Sequence, residues 1–113
     1  MAATQSGESS TPLSAEDYIK KGIEARDLTE RIFYFTKAIE LKPDYAPAYN
    51  YRGITYHRKG DYNLAIQDFT KSIEIDPNYH HAYRNRGIDY YHLRDYEHAL
   101  NDYNKAIDFN PSD

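Results

Sequence analysis

The chain has 113 residues, a formal charge of −4 and no cysteine. That length suits one domain, and the acidic balance argues against non-specific nucleic-acid binding, which runs on phosphate neutralisation. Without thiols there is no disulfide, no thiolate chemistry and no Cys-based zinc site, which suits a reducing compartment, expected here to be the cytoplasm.

Residues 1–13 hold Thr4, Ser6, Gly7, Ser9, Ser10 and Thr11 and almost no large apolar side chain. Such a segment cannot bury enough surface to offset its ordering entropy, so it reads as a disordered leader. No apolar run is long enough for a signal peptide or a membrane span, and no membrane association is expected. Order begins at Ser14, which with Asp17 comes close to a capping box, while Leu13 and Tyr18 have the spacing of a hydrophobic staple. A helix is expected over 15–26 and a second over 28–41.

From residue 46 the sequence repeats. Ala48-Tyr49 returns as Ala82-Tyr83, Arg52-Gly53-Ile54 as Arg86-Gly87-Ile88, Tyr56 as Tyr90, Asp61-Tyr62 as Asp95-Tyr96 and Pro77 as Pro111. Comparing 46–79 with 80–113 column by column gives 13 identities in 34, where chance gives roughly two. A fixed period of this length signals stacked units. Tyr49, Gly53 and Tyr56 line one helix face at i, i+4, i+7, and Ala65, Phe69 and Ser72 line another after the break at Gly60-Asp61. Helices are therefore expected over 46–59, 62–75, 80–93 and 96–109, with Pro77 and Pro111 closing the second helix of each unit. Small Gly53 and Ala65 let the two backbones approach, and the tyrosines fill the space beside them.

The order aromatic, Gly, Tyr, Ala, aromatic, small, Pro resembles the tetratricopeptide repeat family. Tyr49, Gly53, Tyr56, Ala65, Phe69, Ser72 and Pro77 carry it in one unit; Tyr83, Gly87, Tyr90, Ala99, Tyr103, Ala106 and Pro111 carry it in the next. Arg52 and Arg86 depart from the pattern, which prefers Leu there; an arginine at that position is expected to bury its stem and keep its head in water. Residues 14–45 are similar once Gly22 is paired with Gly53, and then the unit is three residues short, nearly one helical turn. Arg31 stands where later units have the small Ala. An ungapped alignment, with Ala15 and Ile19 at the aromatic and Gly positions, fits less well. The resemblance implies an all-α fold: an α-solenoid of three stacked antiparallel helix pairs, about 14–45, 46–79 and 80–113, forming a right-handed superhelix with an irregular first unit.

The same resemblance implies a non-catalytic protein-protein interaction module with a concave groove lined by the first helix of each pair. Carried over residue by residue, the groove would present Ile19, Ile23 and Arg26, then Asn50, Ile54, His57 and Arg58, then His81, Arg84, Ile88, Tyr91 and His92. The first helices carry eight basic and four acidic side chains, the second helices four and seven, so the groove should be the more basic surface, although charges on helices are often only solvated faces. An acidic-apolar peptide or partner segment of micromolar affinity is expected there, weakened by salt. Histidines, with an ordinary pKa near 6.5, would gain charge on mild acidification and tighten such a ligand. The family's two-carboxylate clamp for chaperone tails is missing: Ile19, Ile23, Tyr51, His81 and Asn85 occupy its positions.

No catalytic residue, cofactor or metal is expected. The five histidines include no helical i, i+4 pair, and Ser72 sits at a core-facing position without a base to orient it. On the last helix Leu100, Tyr103 and Ile107 form an apolar stripe. It implies an alternative role: a self-associating scaffold, as a homodimer through this helix or as part of a longer repeat array.

Overall fold

The computed structural model describes residues 11–109. Six helices follow in order: α1 Ala15–Glu24, α2 Leu28–Leu41, α3 Ala46–Arg58, α4 Tyr62–Ile75, α5 His80–His92 and α6 Tyr96–Phe109. There is no strand among the described residues. Each helix packs on the one before and the one after, and α3 also meets α5. The chain is thus an all-α solenoid of three antiparallel pairs. Of the expected leader, only Thr11, Pro12 and Leu13 are among the described residues, and they belong to no helix. The expected role of Pro111 lies outside the described residues.

Local signals set the helix ends. Ser14 and Asp17 form a reciprocal capping box: Asp17 N–H donates to Ser14 Oγ at 3.1 Å and Ser14 N–H to Asp17 Oδ2 at 2.9 Å. Both orphan amides are satisfied, and Asp17 in the first turn meets the positive end of the helix dipole. Asp27 caps α2 through Glu30 N–H at 3.0 Å. The helix α4 stops at Ile75, two residues before Pro77, as proline's missing donor and ring require. The closing prolines of the first and second units have a further role. Tyr49 OH donates to Pro43 O at 3.1 Å and Tyr83 OH to Pro77 O at 3.0 Å, tying each first helix to the end of the preceding unit.

The three-residue shortening of the first unit falls at the end of α1. This helix has 10 residues where α3 and α5 have 13. It breaks at Ala25 in extended conformation, whereas α3 ends through Gly60 at φ 85° and α5 through Arg94 at φ 65°. Arg31 fills the shortened corner and donates from Nε to Ala25 O at 2.6 Å. The arginine that breaks the small-residue pattern is therefore the group that satisfies the shorter turn. Arg94 stands 34 residues after Gly60 and holds a left-handed conformation that costs any residue with a Cβ. Arg94→Gly is expected to stabilise the fold by about 0.5–1 kcal/mol, and Gly60→Ala to destabilise it by about 1 kcal/mol. Urea melts of the two variants check both signs.

Between the helices of each pair a glycine faces an aromatic ring: Gly22 meets Phe35, Gly53 meets Phe69 and Gly87 meets Tyr103. Phe35 and Phe69 are almost wholly buried. That Gly22 meets Phe35 as Gly53 meets Phe69 fixes the pairing of the first unit with the second. In the first unit Ala15, Ile19, Phe35, Ala38 and Ala48 form a core cluster, which Tyr18, Ile39, Tyr45 and Tyr51 pack against.

The arginines at the departing position do not keep their heads in water. Arg52 donates from Nε and Nη2 to both oxygens of Asp68, each at 2.8 Å, and from Nη1 to Thr36 Oγ1 of the preceding unit at 3.2 Å. Arg86 repeats the arrangement with Asp102 and Thr70. The carboxylates are buried, with side chains 7% and 5% exposed. Each arginine thus joins its own second helix to the one before, and this corrects the sequence expectation. The Asp68 hydrogen bonds raise the Arg52 pKa above the ordinary value, while burial raises that of Asp68 against the pull of Arg52. The first unit has Lys21 over the Tyr34 ring at 6.0 Å in the corresponding place.

Candidate functional site on the concave face

The surface that α1, α3 and α5 make carries one hollow between the second and third units. Ile54 and His57 from α3, Asn85 and Ile88 from α5, and Phe69 of α4 beneath them line a depression of about 140 Å³. Its walls are apolar, and its polar groups are an imidazole and a carboxamide. Asn85 is itself held: its Nδ2 donates to Asn50 Oδ1 at 3.1 Å, and Asn50 Nδ2 reaches Tyr79 OH at 3.5 Å. Burial pushes the Tyr79 phenol above its ordinary pKa, so it stays a neutral partner.

His57 is held more firmly. Its Nδ1 lies 2.5 Å from Oδ1 of Asp89, whose side chain is fully buried while that of His57 is 33% exposed. Asp89 Oδ2 is buried and has no hydrogen-bond partner among the described residues. Burial raises the Asp89 pKa, partly opposed by His57 and His92. His92 in turn stacks on Tyr62 with ring centroids 4.8 Å apart and planes 3° from parallel, and its ring lies 5.5 Å from that of His57. In the column where Asp89 stands, the second unit has Thr55, which is buried and satisfies itself by donating to Tyr51 O at 2.9 Å.

The twelve residues expected in the groove separate into groups. Ile54, His57 and Ile88 meet in the depression. His92 adjoins them through His57. Ile23, Arg26, Arg58, His81 and Tyr91 are exposed; His81 lies against His80 and Tyr79, and Tyr91 against Tyr96. Three need correction. Ile19 is 8% exposed and belongs to the first-unit core, because it shares the cluster with Ala48 and has Tyr51 of the next unit packed against it. Asn50 is 5% exposed, closed in by Tyr79 at the end of its own unit and by Asn85 of the next. Arg84, the residue in the same column one unit later, lies with His80, Tyr103, Ala106 and Ile107 around a separate hollow of about 180 Å³ on the outer side of α5 and α6. Sequence reasoning placed Asn85 at a clamp position but not among the groove's contact residues, and it missed Phe69, Tyr62 and Asp89 there. For Asp89 a signal existed: a carboxylate in a column that is Thr in the preceding unit and lies on the inner face of the helix.

The basic character of the face is weaker than the count implied, because Arg52 and Arg86 are spent on buried carboxylates of α4 and α6. No group of three or more His, Cys, Asp or Glu side chains that could hold a metal occurs among the described residues. Likewise, no described helix is long and apolar enough to cross a membrane.

Three stacked antiparallel helix pairs define a helical-repeat protein. Sequence models of the tetratricopeptide repeat match residues 23–45, 46–79 and 81–113. The chain belongs to the tetratricopeptide repeat family. Comparison with curated proteins finds no match. Among solved structures, the TPR domain of Arabidopsis OM64 superposes with a TM-score of 0.86 at 27% identity, covering 88% of this chain and 85% of that one. The crystal structure of MamA gives 0.82 at 28% identity over 88% of this chain, which spans 60% of MamA's length. The TPR2B domain of yeast Sti1, solved in complex with pHsp70, gives 0.84 at 26% identity, with coverages of 87% and 81%.

Proposed function

We propose that the chain is a non-catalytic adaptor whose concave face binds an extended or helical partner segment, with one apolar side chain seated between Ile54, Ile88 and Phe69. The observation that carries this is the depression itself: an apolar floor with a held imidazole and a held carboxamide. A small number of placed polar groups over apolar walls is what orients a ligand in a protein site. The pHsp70 complex of the Sti1 domain supports the use of a peptide ligand by this architecture. The ligand here differs in chemistry from a chaperone tail, because Ile19 and Tyr51 at two clamp positions are apolar or aromatic and packed against the first-unit core. Exposed Arg58, the residue after His57 on α3, favours acidic side chains beside the apolar one. Raising salt from low to high should weaken binding, and Arg58→Glu should weaken it about threefold, the size expected of a rim charge. Titration calorimetry with a library-selected peptide measures both. Binding indifferent to salt and to that variant would remove the acidic part of the reading.

A second reading has its own observation. Leu100 and Ile107 on α6 are 62% and 55% exposed, while Ile66 and Ile73 in the same columns of α4 are half-buried by the next unit. This favours self-association through α6 as a homodimer. Leu100→Glu with Ile107→Glu should turn a dimer into a folded monomer in sedimentation equilibrium. A wild-type chain that stays monomeric at high concentration would remove this reading.

A further inference from the structure

Asp89 is a fully buried carboxylate with one oxygen on His57 Nδ1 and the other without a hydrogen-bond partner among the described residues. Its hydrogen-bond compensation therefore falls on a single imidazole that also lines the depression. The groups facing the pair are His57 from α3, Tyr62 from α4, His92 on α5 and Tyr103 from α6, which senses the Asp89 charge. Tyrosines stay protonated through neutral pH, so between about pH 5 and pH 8 the imidazoles and Asp89 decide the charge.

With Nδ1 committed to Asp89, Nε2 is the nitrogen left for a ligand. The pair has two forms carrying the extra proton: imidazolium with carboxylate, or neutral imidazole with carboxylic acid. In both, Nε2 bears a hydrogen and donates. Loss of that proton leaves carboxylate bound to Nδ1–H, and Nε2 becomes an acceptor. The polarity of the site therefore follows the proton count of the pair, whichever way the proton is shared.

Resting on the reading of the depression as the partner site, we propose that His57 is its specificity-determining residue and Asp89 the residue that positions it, and that together they select a partner carboxylate oxygen beside the apolar side chain in the depression. The occupant is an acidic-apolar segment, and its binding is gated by protonation. An imidazolium held this way makes a charge-assisted hydrogen bond, the stronger kind. The ring of His92 lies beside it, with centroids 5.5 Å apart. His57 and Asp89 lie on successive units, so the selector exists only where these two units stack.

The test uses N-acetyl-Leu-Glu-amide and N-acetyl-Leu-Gln-amide as probes of the whole chain, read by the isoleucine methyl spectrum and by the nitrogen-15 shift of His57 Nε2. Both probes should move Ile54 and Ile88. The Glu probe should bind roughly fivefold tighter at about pH 5.5 than at about pH 8, and the Gln probe about equally at both, the contrast expected of a charged hydrogen bond. Asp89→Asn, which keeps the shape, should displace the onset of the Glu preference to lower pH; His57→Gln should abolish the preference and leave Leu-dependent binding. Equal binding of the two probes at both pH values, or an onset unmoved in a folded Asp89→Asn chain, overturns the inference and leaves the depression as a binding site. If neither probe moves Ile54 or Ile88, the proposed site itself fails and the inference goes with it.

Discussion

Replacing Gly53 by leucine is expected to cost about 3 kcal/mol or more, at the upper end of the range for overpacking a filled core. Any Cβ at this position would stand 2.6 Å from Phe69 Cε1. Phe69 is 1% exposed, and the free space beside it is the depression that it floors. The leucine must therefore spread α3 from α4 or push the Phe69 ring into that depression, and either disturbs the register of Ile54 and Phe69 there. Phe69→Leu in the same chain should recover part of the loss by making room. Gly87→Leu should act similarly in the third unit, where a Cβ would meet Tyr103 at 2.8 Å and the Ala99 carbonyl at 3.2 Å. A Gly53→Leu chain that melts in urea like the wild type would mean that the two helices do not meet here.

Asp68→Ala should be nearly as damaging, at about 3 kcal/mol, because it strands a guanidinium that is 20% exposed and points at the vacated site. The cost arises from the charge left behind more than from the pair. Replacing both partners, Arg52→Met with Asp68→Leu, should accordingly come within about 1 kcal/mol of the wild type. In the first unit Lys21→Ala removes only an exposed cation over a ring, and should cost under about 1 kcal/mol. If Asp68→Ala and the double variant unfold at the same denaturant concentration, the bidentate pair is not what joins these helices.

The helix pairs were legible because the same residues return at a fixed spacing and because the glycine and the aromatic at the eighth residue of the second helix can only be neighbours if the backbones come close. What the spacing did not carry is the identity of partners across units. Arg52 looked like a snorkelling cation because an arginine's surroundings cannot be read from its own helix; Asp68 and Thr36, both 16 residues away, decide it. Asn50 and Arg84 share a column and were assigned one role. The structure separates them because a following unit covers Asn50 and, among the described residues, none covers Arg84. Ile19, in the same column of the first unit, moved from groove to core for the reason that buries Asn50: the following unit covers it, here with Ala48 and Tyr51. The His57–Asp89 pair spans 32 residues, near one full period. A search for carboxylates in buried columns would have raised Asp89, and the next question, which side chain one period earlier could answer it, leads to His57.

The most direct test of concave-face binding is the isoleucine methyl spectrum of the whole chain during titration with a peptide selected against it from a random library. Ile54 and Ile88 report the depression, Ile107 the outer face of α6, and Ile19 the first-unit core. Saturable shifts of Ile54 and Ile88 with a single midpoint are expected, while Ile107 and Ile19 stay in place. Saturable movement of Ile107 with Ile54 and Ile88 unmoved would contradict it and put the partner on the outer face of α6.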